Sequence, residues 1–432
     1  MNEHDPLISW ESLNALLPHD LDSLAKSTGA VERWRKIGNG RQLLWMCLVY
    51  AQAFMSLRVT AGLSVGFGGV TEGAVKYRLQ HAVPFLGAVL AHLVNAAVAR
   101  TTGMGLSRAV RLIDSTALSV PGSKGTDWRI HVCYVPNQGF NRVDVTDSSG
   151  AESAERGEYQ WTDVCVGDQG YCRSKDLHHI HERGAYALVR AYLKNIRLLV
   201  GGGERLDIQQ ALDRVDAGDP CTTVYIPGKD KEPLEARLII RALPEDKAAA
   251  ARKKLRQTAS RKGSSVTAQA IRLAGYFAVL TTVPPECLSD DEVLALYRLR
   301  WQIELLFKRW KSLLRLDKLD ADEPALVRAF CLSKLIEAAI LERLAGEDIA
   351  EYAGSSRGAD QQRPSCTLWR VTAVYHTTFQ AAVLEAFPLT RAQMNRVIDA
   401  MREGRRRRKN ALEKAAHVLR RLAQYAPLKE AA

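Results

Sequence analysis

The chain has 432 residues, 47% hydrophobic and 25% charged, which is ordinary usage for a globular protein and argues against a disordered chain. Lysine and arginine outnumber aspartate and glutamate by 60 to 48, and the formal net charge of +12 favours a polyanionic partner. The eight cysteines form no C-x-x-C pair, so zinc ribbons and thioredoxin-like pairs are not expected, and a reduced cytosolic protein fits best. We expect no secretory leader and no membrane span.

Residues 1–105 carry apolar side chains at helical spacing, which predicts an all-helical domain. Within it, residues 56–79 place a glycine-rich turn between two helical segments, as in a helix-turn-helix. Arg58, Lys76, Arg78 and His81 would face outward there. A DNA-binding domain is one interpretation, and a plain helical bundle with scattered surface charge is the other.

The pattern changes at residue 106, where short apolar runs replace the helical periodicity. Residues 106–199 contain three strand candidates in a row, a fourth strand, a helix and a fifth strand; they are 111–118, 128–135, 140–145, 161–167, 175–183 and 185–193. A meander followed by alternating strands and helices predicts an α/β domain with a mixed sheet.

Three further segments complete the expected organisation. Residues 200–285 predict a strand-rich insertion subdomain that includes a basic helix at 244–262. Residues 286–320 return to the core through one long helix, 289–316, that opens with a capping box. Residues 321–432 predict a helical, basic C-terminal region. Its last 42 residues hold twelve Lys or Arg against four Asp or Glu, a charge that suits contact with phosphates.

The long helix carries a polar stripe with one carboxylate among cations. At 100° per residue its members fall within an arc of about 80°; they are Tyr297, Arg300, Glu304, Lys308, Lys311 and Arg315. An amphipathic surface helix shows a similar stripe, but a solvated face more often mixes both signs to form pairs. A single acid among cations suits a site for phosphates and a metal ion.

Two aspartates in predicted strands extend this pattern. Asp114 lies inside one apolar strand, and Asp168 closes another before a turn that contains glycine. Either aspartate alone is more often a turn or capping residue. Together with Glu304 they offer the oxygen ligands that Mg²⁺ or Mn²⁺ prefers, and two such ions support in-line phosphodiester displacement.

These motifs resemble those of the DDE transposases of bacterial insertion sequences, specifically the IS-four family with its Y-x2-R-x3-E-x6-K signature. The signature residues stand here as Tyr297, Arg300, Glu304 and Lys311. The family's two aspartate motifs are matched by residues 112–116 and 166–171, and the spacings of 54 and 136 residues between the acids agree with the family. One departure is Gln169, where many relatives carry Arg; it affects an auxiliary phosphate contact and not the metal site.

The resemblance implies an α/β fold with an RNase H-like catalytic core in which Asp114, Asp168 and Glu304 bind Mg²⁺ or Mn²⁺, two ions in all. It implies that Tyr297, Arg300 and Lys311 hold the phosphates of the transposon ends and that Trp301 distorts or stacks a base. Lys308 and Arg315 belong to the same DNA-binding stripe. The chemistry would be a nick that frees a 3′-hydroxyl, followed by attack of that hydroxyl on target DNA, with second-strand cleavage through a hairpin.

The expected partners are double-stranded DNA, as terminal inverted repeats and as target, and a second copy of the chain in a synaptic homodimer. The resemblance also implies a bacterial, cytoplasmic, nucleoid-associated protein. Two alternatives are an RNase H-like nuclease that does not transfer strands and a transposase-derived DNA-binding protein. The second alternative predicts loss of a carboxylate, whereas all three are present.

Overall fold

The computed structural model describes residues 6–52, 55–102, 110–136, 139–354 and 367–400. Its centre is an eight-stranded sheet. The strands are β1 (Val110–Leu118), β2 (Trp128–Val135), β3 (Gly139–Asp147), β4 (Val164–Gly167), β5 (Tyr186–Arg190), β6 (Cys221–Gly228), β7 (Lys231–Ala242) and β8 (Tyr276–Thr281). Their order across the sheet is β3-β2-β1-β4-β5-β8-β7-β6.

The sheet is mixed, as the sequence predicts. β1, β2 and β3 form an antiparallel meander, whereas β1, β4 and β5 run parallel to one another. Parallel neighbours need a crossover connection, and here helix α7 (Ser174–Glu182) lies between β4 and β5. The predicted mixed α/β architecture with helical flanks is therefore confirmed.

The strands of residues 200–285 continue the same sheet. β8 pairs antiparallel with β5, with Leu188 opposite Thr281, and β7 and β6 follow as antiparallel neighbours. Helices α8 (Ile208–Asp216), α9 (Glu245–Arg261) and α10 (Ala268–Leu273) accompany them. The strand-rich character of this segment is thus observed, whereas its division from the core as a separate unit stays a prediction.

Helices flank the sheet at both ends of the chain. The N-terminal helices are α1 (Trp10–Leu16), α2 (Leu21–Ser27), α3 (Gly40–Tyr50), α4 (Leu57–Leu63), α5 (Glu72–His81) and α6 (Val83–Thr102). The C-terminal helices are α11 (Asp290–Tyr297), α12 (Trp301–Ser312), α13 (Pro324–Gly354), α14 (Leu368–Glu385) and α15 (Met394–Ala400). The Trp45 indole of α3 donates a hydrogen bond to the Val383 carbonyl of α14 at 2.6 Å, so the two helical regions share one core.

None of the described helices has by itself the length and apolarity of a membrane span. The bent pair formed by Glu72–His81 and Val83–Ala96 reaches the required length and apolarity only jointly, with an angle of 55° between its halves.

The single long helix expected over residues 289–316 is wrong in two respects. A 3-10 turn over residues 298–300 separates α11 from α12, and α12 ends at Ser312. Arg315 then takes a left-handed conformation with φ 58°, and the Leu316 N–H donates to the Trp310 carbonyl at 3.1 Å. The chain turns back there, so Arg315 does not continue the helical stripe.

Candidate active site

Asp114 and Asp168 lie side by side because their strands are parallel neighbours. The last pair in the β1–β4 register joins Ile113 to Gly167; Asp114 is the next residue of β1, and Asp168 directly follows the end of β4. Oδ1 of Asp114 accepts the Ser115 N–H at 2.7 Å. Oδ1 of Asp168 accepts the Gly170 N–H at 2.7 Å and so caps a short 3-10 turn. Backbone donors therefore orient both carboxylates.

Successive side chains of β1 point to opposite faces of the sheet, and this alternation determines the face on which Asp114 lies. Leu112 and Leu118 pack into the large core that includes α12, whereas Ile113 packs into a second core on the other face of the sheet. Because side chains two residues apart share a face, Asp114 lies on the α12 side. This places the aspartate opposite the helix that carries Glu304.

Arg300 links Asp114 to Glu304. Its Nη1 lies 3.9 Å from Asp114 Oδ2, and its Nη2 donates to Glu304 Oε1 one helical turn further on. Asp114 and Arg300 are largely buried, with 15% and 22% of the side chain exposed, and Glu304 is half-buried at 35%. One guanidinium therefore contacts both carboxylates and offsets part of their charge.

Burial controls the protonation of the two aspartates. It raises the pKa of Asp114 to about 7, and the negative charges of Asp168 and Glu152 add to that effect, against the Ser115 N–H and the Arg300 charge. Burial also raises the pKa of Asp168, with Glu152 adding and with the Gly170 N–H, Arg300 and Arg190 opposing. Crowded, partly desolvated carboxylates of this kind are typical of functional sites.

Within the described ranges, no three or more His, Cys, Asp or Glu side chains are grouped as a ready metal site. The structure brings Asp114 and Asp168 together and ties Glu304 to Asp114 through Arg300. The three acids offer only carboxylate oxygens, which are the ligands that a hard divalent cation prefers, so they are the residues that could hold one.

Tyr297 and Trp301, which flank Arg300 in the sequence, differ in exposure: Tyr297 is buried and Trp301 is exposed. Tyr297 is 8% exposed, its ring lies 5.6 Å from that of Phe277, and the Arg300 guanidinium stands 6.0 Å above it. Burial raises the pKa of Tyr297 to about 12. Trp301, in contrast, is 57% exposed. A ring open to solvent next to the carboxylates suits contact with a large partner.

The three cations further along the stripe diverge from one another. Lys311 is half-buried, its Nζ donates to the Ala117 carbonyl of β1 at 3.1 Å, and burial lowers its pKa. Lys308 Nζ stands 5.7 Å above the ring of Trp369 on α14. Arg315 lies beyond the helix end. Glu304, Lys308 and Lys311 share one face of α12, as predicted, whereas Arg315 does not continue that face.

Two charged residues of the site have no counterpart in the sequence analysis. Arg190 ends β5, next to Val189, which pairs with Gly167, and its charge opposes the rise that burial causes in the pKa values of Asp168 and Tyr297. Glu152 lies in the loop between β3 and β4, and its Oε1 accepts the Ser115 hydroxyl at 2.7 Å. A cation at the end of a predicted strand could have indicated Arg190 as a site residue from the sequence, whereas no local sequence pattern indicates Glu152.

A second basic feature lies among the N-terminal helices. The predicted helix-turn-helix appears as α4, a 3-10 turn and α5. A cleft of about 680 Å³ separates α5 from the segment 29–37, and its charged and aromatic lining consists of Arg33, Arg35, Lys36, Tyr77, Arg78 and His81 with one acid, Glu32. Tyr77 is 53% exposed and stacks on His81 with ring centroids 4.0 Å apart. Of the residues predicted to face outward, Arg58 and Lys76 are partly exposed and form surface ion pairs with Glu72 and Glu323.

The block Arg405–Lys409 lies outside the described residues. The other predicted basic segment, α9, is present as a largely exposed helix, with Arg252 paired to Glu245 at 2.9 Å.

Comparison with known proteins identifies the family. The model of a family described as "Transposase DDE domain" matches residues 105–337, just over half of the chain. The putative transposase InsL of insertion sequence element IS186A from Escherichia coli K12 is 34% identical over 345 residues, which cover 77% of this chain and 93% of that protein. The transposase of IS421 from Escherichia coli is 34% identical over 346 residues, with the same coverage. The transposase of IS231E from Bacillus thuringiensis subsp. finitimus is 28% identical over 354 residues, covering 72% and 73%. The chain belongs to the DDE transposases of bacterial insertion sequences and is an enzyme of transposition.

Proposed function

We propose that this transposase excises its element and transfers the strands to target DNA through Asp114, Asp168 and Glu304, acting with two Mg²⁺ or Mn²⁺ ions in an RNase H-like core of the IS-four type. The observation that carries the proposal is the pairing of Asp114 with Asp168 on parallel strands, with Glu304 tied to Asp114 through Arg300. When bound, the cations would activate the attacking oxygen and stabilise the leaving oxygen.

The chain's own residues prepare the phosphate site. If Asp114 and Glu304 held a divalent cation, the Arg300 guanidinium would be available to a phosphate of the transposon end. Tyr297 holds that guanidinium from its ring face. Trp301 offers an exposed ring for a base near the cut. Lys311, Lys308 and Arg315 would extend the positive surface along the DNA backbone.

The N-terminal cleft is our candidate for the terminal inverted repeats. Its cations neutralise backbone phosphates, and its Tyr77–His81 pair provides an apolar platform. Two ends must be held together for transfer, so a homodimer in a synaptic complex is part of the proposal.

The test of the metal ligands uses the full chain and labelled DNA from the element's ends. Asp114→Asn, Asp168→Asn and Glu304→Gln should each abolish cleavage and transfer while end binding in a gel shift persists. Glu158→Gln is the control, since this exposed glutamate pairs with Arg142 at 2.7 Å and should leave cleavage intact. Metal-dependent nicking that survives in any of the three variants would contradict the assignment.

The same DNA separates a transposase mechanism from simple nuclease action. Cleaved ends should become joined to a target plasmid, and a target-joined product from wild-type protein is the expected result. Cleavage without any joined product under the same conditions would favour a nuclease mechanism.

The cleft is tested by salt dependence. Arg33→Ala/Arg35→Ala should weaken end binding and reduce the slope of log K against log salt by about 2, since each phosphate contact contributes about 0.9. Lys229→Ala/Lys231→Ala removes the same charge from the β6–β7 hairpin at the far edge of the sheet. An equal loss in both double variants would show a general charge effect and refute the cleft.

A further inference from the structure

Glu152 reaches both strands that carry the proposed catalytic aspartates. It lies in the loop between β3 and β4, and its side chain is 27% exposed. Neither the sequence motifs nor the family signature includes it.

On the β1 side, Glu152 holds the residue that orients Asp114. The Ser115 hydroxyl donates to Glu152 Oε1 at 2.7 Å, while the Ser115 N–H donates to Asp114 Oδ1. Arg129 stands behind both, with Nη1 3.6 Å from Glu152 Oε1 and 3.4 Å from the Ser115 hydroxyl. These contacts hold the Ser115 side chain in place, and they therefore also fix the position of the Ser115 N–H that donates to Asp114.

On the β4 side, Glu152 lies against the residue that orients Asp168. The Gly170 N–H donates to Asp168 Oδ1 at 2.7 Å. A Cβ at position 170 would collide with Glu152 Oε2 and would stand 3.0 Å from Asp168 Oδ1. The turn therefore needs glycine because the glutamate and the aspartate both approach its Cα.

Glu152 acts from the opposite face of β1. Ser115 alternates with Asp114, so it shares the face of Ile113 and not that of Leu112. The loop is anchored on that face, because the Glu152 carbonyl accepts from Arg173 and the buried Asp176 accepts the Ala154 N–H at 2.8 Å. Glu152 thus stands behind the aspartates and is not a member of the group that faces Glu304.

We propose that Glu152 is a positioning residue of the transposase site: it aligns Asp114 and Asp168 through Ser115 and Gly170, and its negative charge strengthens their attraction for a divalent cation. The inference rests on the proposed role of the two aspartates. Carboxylates that orient metal ligands from behind change metal affinity strongly when they are replaced.

The test separates the charge of Glu152 from its alignment. Mn²⁺ is titrated into the full-length, DNA-free protein, and free Mn²⁺ is followed by electron paramagnetic resonance. Glu152→Gln keeps an acceptor for Ser115 but loses the charge, so its Mn²⁺ affinity should fall roughly 10- to 100-fold. Its cleavage rate should recover at saturating Mn²⁺. Glu152→Ala loses both features, and its rate should stay low even at saturation.

The controls are the Glu158→Gln variant, the Asp114→Asn variant and a measurement of unfolding in urea. Glu158→Gln should bind Mn²⁺ like wild type, because it removes the same charge from the same loop at an exposed side chain whose ion-pair partner is Arg142. Unfolding in urea checks that each variant is folded. Unchanged Mn²⁺ affinity in both Glu152 variants, together with lost binding in Asp114→Asn, would overturn this inference alone. Wild-type Mn²⁺ binding by Asp114→Asn would overturn the proposed function and this inference with it.

Discussion

Arg309 of α12 and Glu342 of α13 form a buried two-point ion pair, with Nε 2.8 Å from Oε1 and Nη2 2.8 Å from Oε2. Their side chains are only 5% and 4% exposed. The pair fixes the helix that carries Glu304 to α13, the longest helix among the described residues. Because the geometry is bidentate, it sets the rotation of α12 as well as its distance from α13.

Breaking this pair should destabilise the protein strongly. Glu342→Gln leaves a buried guanidinium without its countercharge, so we expect a loss of about 3–5 kcal/mol in the free energy of unfolding in urea. Arg309→Met/Glu342→Leu removes both charges and should recover most of that loss. A double variant as unstable as the single one would mean that packing, and not the uncompensated charge, is responsible.

The buried Glu337 should make the stability depend on acid pH. Burial tends to raise its pKa, but Lys334, 2.9 Å from Oε2, and His376, 2.7 Å from Oε1, outweigh burial and lower it below 4.5. A lowered folded pKa contributes stability that is present above pH 4.5 and is lost as the pH falls through the folded value. Glu337→Gln should therefore be less stable than wild type at pH 7, and the gap should narrow below pH 4.5. An equal gap at both pH values would contradict the ion-pair interpretation.

Asp114→Asn should stabilise the metal-free protein at high pH. The folded pKa of about 7 lies above the ordinary 3.8, so the favourable contribution of the protonated form is complete below pH 3.8 and is lost as the pH rises through 7. Asparagine resembles the protonated form at every pH. Urea unfolding with a chelator present should show a gain of roughly 1–3 kcal/mol at pH 8 and little at pH 4.

Asp147→Asn is the matched control for that experiment. This exposed aspartate has its pKa lowered by hydrogen bonds from Ser149, so its charged form is the favoured one. The substitution should bring no gain at pH 8. If both variants gain equally, the effect is one of net charge and not of the buried site.

Trp301→Ala should impair cleavage without affecting the fold. The side chain is 57% exposed, so the free energy of unfolding should change by no more than about 0.5 kcal/mol. Trp161 is 78% exposed and precedes β4, at the end of that strand opposite Asp168. Trp161→Ala should leave cleavage unchanged; equal losses in the two variants would argue against a role of Trp301 at the cut.

Much of the fold was predictable because it depends on local periodicity. Short apolar runs mark β1 to β5 and the strands of the following segment, and the mixed sheet follows from a meander succeeded by strand–helix alternation. The pairing of β8 with β5 was not predictable. The two strands are almost ninety residues apart, and no local sequence signal indicates which strand will pair with which. The end of α12 was also not predicted. Arg315 adopts a positive φ, which is uncommon for arginine, so its residue type gives no sign of the turn.

By itself, the sequence determined which kinds of side chain the site contains and in what order: two strand aspartates, then a tyrosine, an arginine and a glutamate at helical spacing. Those features depend on residue type and short-range geometry, and with them the transposase assignment could be made. Only the tertiary structure decided which face of β1 each residue occupies, that Arg300 spans Asp114 and Glu304, and that Glu152 stands behind the aspartates. Contacts across a sheet depend on strand register and on the packing of elements that are remote in the sequence, and no short stretch of the chain determines either of them.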